Sequence, residues 1–216
     1  MLTDTSDLLD SRQRARLDAY TAEMERVNRR VNLVARAATR DNLRRHVRHC
    51  LALATRPFPS GSVVVDWGSG GGLPAVPLAV AFPEARVVAV DAVGKKTEAV
   101  KLFGRRLELD NLTAWNGRAE AYDGPAPHYS VSRATAPLAT LWAWHMAVRT
   151  PLNAPRDAWA PGLLALKGGD LAAEIEALRA SASVKVAVTP LLDVLGADWA
   201  DKSLVHVTEA VRPEAG

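Results

Sequence analysis

The chain has 216 residues, 48% of them hydrophobic and 24% charged, which suffices for one domain with a real core and excludes a disordered or fibrous protein. Its longest apolar stretch, Leu73–Phe82, holds two prolines and falls well short of the roughly 20 residues of a membrane span. The lone Cys50 excludes an internal disulfide and a cysteine-based zinc site, the acidic start lacks the plan of a signal peptide, and the net charge is a modest +3, so the expectation is a soluble cytoplasmic protein without membrane or metal.

The first element is a helix over residues 7–34. Leu17, Tyr20, Met24, Val27 and Val31 recur at spacings of 3, 4, 3 and 4, which puts them on one packing stripe. A second helix starts at Asp41 as its cap and runs to about Ala54, with Leu43, Val47, Cys50 or Leu51, and Ala54 inward. These helices carry the chain's uneven charge. Residues 1–60 hold 12 Arg against 7 acidic residues, and between Met24 and Arg56 nine Arg face only Glu25 and Asp41. Such a block points to a polyanionic partner. The plain alternative is a solvated helix face, since 21 of the 27 basic residues are Arg. Arg56-Pro57-Phe58-Pro59-Ser60-Gly61 then breaks the chain and separates a basic helical extension, residues 1–60, from a main domain, residues 61–216.

Beyond that joint the rhythm changes. Ser62–Asp66 and Arg86–Asp91 are continuous β-branched runs, the pattern of strands buried on both faces. A helix falls between them near Pro77–Phe82, and a second follows over Lys95–Leu109. Further strands are expected at Leu112–Trp115, Tyr129–Ser132, Leu163–Leu166, Val184–Val188 and Leu204–Val207, with helices at Leu138–Val148 and Asp170–Ala182. Strands alternating with helices define an α/β fold with a mostly parallel, doubly wound sheet. No clear helix separates the last two strands, so the final one is free to run antiparallel.

The sharpest local signal is Asp66-Trp67-Gly68-Ser69-Gly70-Gly71-Gly72-Leu73-Pro74, set between the first strand and a helix. Glycines there allow a tight turn and close approach of a ligand to the backbone, and the exposed N–H groups favour an anionic group. Asp91 ends the second strand, where a carboxylate reaches both hydroxyls of a ribose. A dinucleotide loop, G-x-G-x-x-G/A, is met loosely by Gly70, Gly72 and Ala75. The S-adenosylmethionine pattern D/E-x-G-x-G-x-G is met fully by Asp66, Gly68, Gly70 and Gly72. Asp66 suits the ammonium of a methionine tail, which a dinucleotide lacks, and Pro74 and Pro77 remove N–H donors a pyrophosphate would use. A purely structural turn is the third reading. Trp67, inside the loop, is placed to shield the pocket, and one of Trp142 and Trp144, two apart on a helix, is expected to be partly exposed.

With these motifs in order, the chain resembles the glucose-inhibited division protein B family, the small-subunit ribosomal RNA methyltransferase G enzymes. The resemblance spans about residues 15–208. It is carried by Asn28…Asn32-Leu33-Val34, Arg45-His46-Val47, the glycine loop with Leu73-Pro74, Asp91-Ala92-Val93-Gly94-Lys95-Lys96, Arg118-Ala119-Glu120, Ser132-Arg133-Ala134 and Leu164-Ala165-Leu166-Lys167-Gly168. It implies a Rossmann-like class I methyltransferase fold with a seven-stranded sheet and an N-terminal helical extension. It implies S-adenosyl-L-methionine as cofactor, small-subunit (16S) ribosomal RNA or the 30S particle as partner, and methyl transfer to N7 of a guanine. By the same resemblance Gly68 and Leu73 contact the cofactor, Ala119 and Glu120 flank its adenine, Asp91 holds the ribose, and Arg133 lines the shared pocket. The RNA side falls to Asn32, Arg45, His46, Lys95, Lys96 and Lys167. The chain departs from the family's usual pattern at His49-Cys50, Ala75, Ala92 and Lys202-Ser203.

Guanine N7 has a lone pair and no proton, so its methylation needs no general base, and the absence of a nucleophile–base pair fits that chemistry. Arg133 is then a positioning group for cofactor or guanine, or the partner of an ion pair at a strand end. His46 and His49, at i and i+3, lack a third ligand for a metal. The rival functions are a methyltransferase for another RNA, a methyltransferase for a small molecule or a protein, whose activity would be insensitive to salt, and a catalytically inactive RNA-binding relative, which S-adenosylmethionine would not stabilise.

Overall fold

The computed structural model describes residues 9–35 and 38–210. Residues 7–8 of the first expected helix, Arg36 of the basic block, and the outer ends of both expected parts lie outside the described residues.

The chain opens with α1 (Ser11–Asn28), started by a capping box in which Asp10 accepts from the Gln13 N–H at 2.7 Å and Gln13 accepts from the Asp10 N–H at 2.9 Å. The helix ends earlier than residue 34. The Asn28 amide oxygen accepts from the N–H groups of Leu33 (2.8 Å) and Val34 (3.1 Å), bonds that fold the chain back on itself. In α2 (Arg40–Leu51) the cap is Thr39, boxed with Asn42, and not Asp41. Asp41 lies in the first turn, where its charge suits the helix dipole. A 3-10 turn, Ala52–Thr55, replaces the expected end of that helix.

After the Pro57–Gly61 break come β1 (Val63–Trp67), α3 (Ala75–Ala81), β2 (Arg86–Asp91), α4 (Gly94–Arg106), β3 (Leu112–Asn116), β4 (Tyr129–Arg133), α5 (Leu138–Val148), β5 (Gly162–Gly168), α6 (Ala172–Ser181), β6 (Val184–Pro190), the short α7 (Leu192–Leu195) and β7 (Lys202–Glu209). Every expected strand is present, with ends shifted by one or a few residues. The strands form one seven-stranded sheet in the order β3-β2-β1-β4-β5-β7-β6. The first five pair in parallel, and β7 runs antiparallel to both its neighbours.

Strand side chains alternate between two cores. Val64, Val87, Ala89, Val131, Leu164 and Leu204 face α1 to α4, and Val65, Val88, Val90, Leu163, Val205 and Val207 face α5 and α6. Leu17, Tyr20 and Met24 of α1 and Leu43, Val47, Cys50 and Leu51 of α2 belong to the first of these cores, so the N-terminal helices pack directly on the sheet layer. The strand order reverses between β1 and β4, which opens a crevice at their carboxyl ends.

Candidate active site at the switch point

The glycine loop leaves the end of β1 and fills this crevice. Gly68, Gly70 and Gly72 have φ of +71°, +58° and +93°, backbone that L side chains adopt only under strain. Asp91, at the end of β2, pins the loop by accepting from the Gly70 N–H at 2.9 Å, and its other oxygen accepts from the Val93 N–H at 2.9 Å. The Lys96 ammonium stands 3.8 Å from the same carboxylate.

Above the loop lies a cavity of about 510 Å³. Of the residues expected at the site, Gly68, Gly70, Leu73, Asp91, Lys96, Ala119, Glu120 and Arg133 all line it. They come from the ends of β1, β2 and β4, from the first turns of α4 and from a 3-10 turn, Ala119–Ala121, after β3. A side chain on Gly70 would meet only the Leu33 carbonyl oxygen, at 3.8 Å, so the loop leaves its centre open to a ligand.

Other expected site residues lie elsewhere. Asp66 is fully buried beneath the loop and is not on the cavity wall. One carboxyl oxygen accepts from the Ala75 N–H at 3.0 Å, the other has no partner, and burial pushes its pKa up to about 7. Asp66 therefore anchors the turn into α3, in place of the expected contact with a methionine ammonium. Gly72 is also below the surface, packed toward Val76, Val100 and Tyr20. Trp67 does not shield the pocket: it is buried in the α5–α6 core, donating from Nε1 to the Ser130 hydroxyl at 2.8 Å. Trp144 lines the cavity, half-buried, while Trp142 is buried.

On the RNA side, Lys167 is committed elsewhere. Its ammonium donates to the Ala136 carbonyl at 2.7 Å and pairs with Glu174 at 2.9 Å. Arg45 is likewise engaged: its guanidinium lies 4.4 Å from the Trp199 ring centre and donates to the Asp198 carbonyl at 2.7 Å. Both were expected at the substrate, and neither lines the cavity. His46 sits beside the cavity, accepting at Nδ1 from Arg133 Nη1 at 3.4 Å. Burial and then the Arg133 charge push the His46 pKa down, which keeps the ring neutral and able to accept. Arg133 is thus turned toward His46; no ion pair with Asp66 or Glu120 forms within the described residues. Asn32 and Lys95 are exposed and do not line the cavity. Among the described residues no helix is long and apolar enough to cross a membrane, and no three His, Cys, Asp or Glu side chains gather as a metal site.

Sequence reasoning missed Thr135 and Trp144 on the wall, and it gave Leu33 no role. Thr135 directly follows the Ser-Arg-Ala triplet, where Ala134 takes a left-handed φ of +54°, a turn no local pattern marks.

A seven-stranded sheet with one antiparallel strand, a glycine loop after β1 and an acid after β2 define a class I S-adenosylmethionine-dependent methyltransferase. Solved structures share this fold: the ribosomal protein L11 methylase of Lactobacillus delbrueckii, at TM-score 0.58 and 14% identity over 76% of this chain and 78% of that one, and a glycopeptide N-methyltransferase complexed with sinefungin, at TM-score 0.58 and 16% identity over 76% and 87%. A family model described as rRNA small subunit methyltransferase G matches residues 13–200. The ribosomal RNA small subunit methyltransferase G of Salinibacter ruber is 53% identical over 92% of this chain and 94% of its own, and that of Chlorobium luteolum 40% identical over 81% and 71%. The chain belongs to the rRNA small subunit methyltransferase G family.

Proposed function

We propose that the chain methylates N7 of a guanine in small-subunit ribosomal RNA, using S-adenosylmethionine held over the glycine loop. The observation that carries this reading is the convergence on one cavity of the open glycine loop, the Asp91 carboxylate and the Ala119–Glu120 turn, in a member of this family. The residues fit the cofactor. Gly70 leaves its centre uncovered, Asp91 faces the cavity for the ribose hydroxyls, and Ala119 and Glu120 border the space for the adenine.

When bound, the cofactor supplies an electrophilic methyl group on a sulfonium sulfur. The protein's task is alignment. Guanine N7 brings its own lone pair, so no side chain has to remove a proton. Orientation of two bound reactants is worth up to about 7–11 kcal/mol in the best cases. Arg133, fixed by neutral His46, places a guanidinium at the cavity edge, where it can donate to guanine O6 and hold N7 in line. The partner is the ribosomal RNA itself or the 30S particle, and the compartment is the cytoplasm, where ribosomes assemble.

The test uses cofactor labelled on its methyl group, with deproteinised 16S RNA and with undermodified 30S particles as separate substrates. Digestion and mass spectrometry then locate the label. A label on guanine N7 in either substrate is expected; active protein that labels neither overturns the reading.

A further inference from the structure

The methyl-donor cavity is walled on one side by the turn that leaves α1, and a buried side chain joins the backbone bonds that hold that turn. Asn28, 7% exposed, accepts at Oδ1 from the N–H groups of Leu33 (2.8 Å) and Val34 (3.1 Å) and donates from Nδ2 to the Ala35 carbonyl at 3.2 Å. These bonds lay Leu33 against the glycine loop. Leu33 is 7% exposed and lines the cavity, and a side chain on Gly71 would stand 3.0 Å from its Cβ. A second strut joins the same helix to the same loop: the buried Tyr20 hydroxyl donates to the Gly71 carbonyl at 2.7 Å.

The outer side of this turn is basic. Several arginines of the N-terminal block are engaged: Arg26 with Glu23, Arg40 with Glu25, Arg44 with Asp18 and Asp41, Arg45 with Asp198. Arg29 and Arg30 are exposed, and among the described residues no carboxylate lies within ion-pair distance of either. They directly follow Asn28. The turn therefore carries two unengaged cations outside and a wall of the cofactor cavity inside, with the Asn28 amide between them.

We propose that Asn28 couples RNA binding at Arg29 and Arg30 to methyl-donor binding at Leu33. RNA phosphates seated on the two arginines restrain the turn, and the restrained turn holds Leu33 on the loop. Each ligand then raises the affinity of the other by the same factor, as linkage requires. Asn28 touches neither ligand and acts as a positioning residue. The proposal rests on the functional reading above.

Isothermal calorimetry tests it, with S-adenosylhomocysteine as the probe so that nothing turns over, in the absence and presence of saturating 16S RNA. In the wild type the RNA should tighten S-adenosylhomocysteine binding by about fivefold or more. Arg29→Ala with Arg30→Ala should weaken RNA binding. Asn28→Ala should still bind RNA but lose the gain in cofactor affinity, and Asn28→Asp, which retains the acceptor for Leu33 and Val34, should keep much of it. Leu33→Ala, which leaves the backbone bonds in place, serves if Asn28→Ala does not fold, and should likewise lose the gain. RNA that binds without changing the cofactor affinity of the wild type overturns the coupling and leaves the functional reading standing. An equal gain in wild type, Asn28→Ala and Leu33→Ala overturns the role of Asn28. Wild-type protein that binds S-adenosylhomocysteine but no ribosomal RNA overturns the functional reading itself.

Discussion

Asp66 and Asp91 show how position divides the work of two similar side chains. Asp91 keeps both oxygens on backbone N–H groups at the cavity rim, the place proposed above for the ribose. Asp91→Ala is expected to weaken S-adenosylhomocysteine binding about tenfold or more, since hydrogen bonds to charged groups are worth about 1.5–3 kcal/mol; calorimetry on folded variant protein checks this. Asp66 is fully buried, and its pKa rises to about 7. The folded protein therefore takes up a proton on Asp66 near neutrality, whereas the unfolded chain does so only near pH 4. The Asp66 contribution to stability is full below about pH 4 and is lost as pH rises to about 7. In urea denaturation, wild type should gain on Asp66→Asn as pH falls from 7.5 to 4.5, by about 1.4 kcal/mol per unit at most. A gap that does not change with pH would show that this carboxyl does not titrate in that range.

At the scale of elements, the glycine loop and the C-terminal clasp are the two places where local geometry decides most. Gly68 has φ +71°, and a side chain there would collide with the Thr135 side chain. Gly68→Ala should lower stability by about 1–2 kcal/mol from backbone strain alone and reduce cofactor affinity further, as read by thermal melting with and without S-adenosylhomocysteine. The clasp joins α2 to the segment before β7. Trp199 is buried between Arg45, 4.4 Å away, and His49, 4.9 Å away, and Arg48 donates to the Leu195 carbonyl at 3.1 Å. Burial pushes the His49 pKa down to about 3, so the ring that packs on Trp199 stays neutral. Trp199→Ala should cost about 3–5 kcal/mol in chemical denaturation, the usual loss for a large aromatic removed from a core. A loss below 1 kcal/mol would mean that this segment does not anchor α2.

Across the whole molecule, the basic block is less available to RNA than its composition implies. Several of its arginines hold helices to one another or to the C-terminal segment. Among the described residues, the exposed cations outside any ion pair include Arg29, Arg30, Arg118 and Lys95. RNA affinity should accordingly fall with salt at a modest slope, about −0.7 in log K per log salt for each phosphate contacted on a single strand. Fluorescence titrations at several salt concentrations measure it, and a slope near zero would exclude phosphate contacts as a major part of binding.

Sequence alone determined the alternation of strands and helices, because fully buried parallel strands need unbroken runs such as Val63-Val64-Val65 and Val87-Val88-Ala89-Val90. It also located the loop, since only glycine tolerates its positive φ values, and the acid that ends β2. Tertiary structure decided which charged groups are free. Arg45 and Lys167 read as substrate residues in the sequence, yet their partners Asp198, Trp199 and Glu174 come from other elements. Asp66 read as a ligand contact, yet the fold buries it under the loop that it precedes. Leu33 and Asn28 carry no local sign of their place, because it depends on how α1 docks against the sheet layer. Periodicity and backbone sterics are properties of neighbours along the chain; ion pairing and burial depend on residues far apart in sequence, and only the folded molecule brings those together.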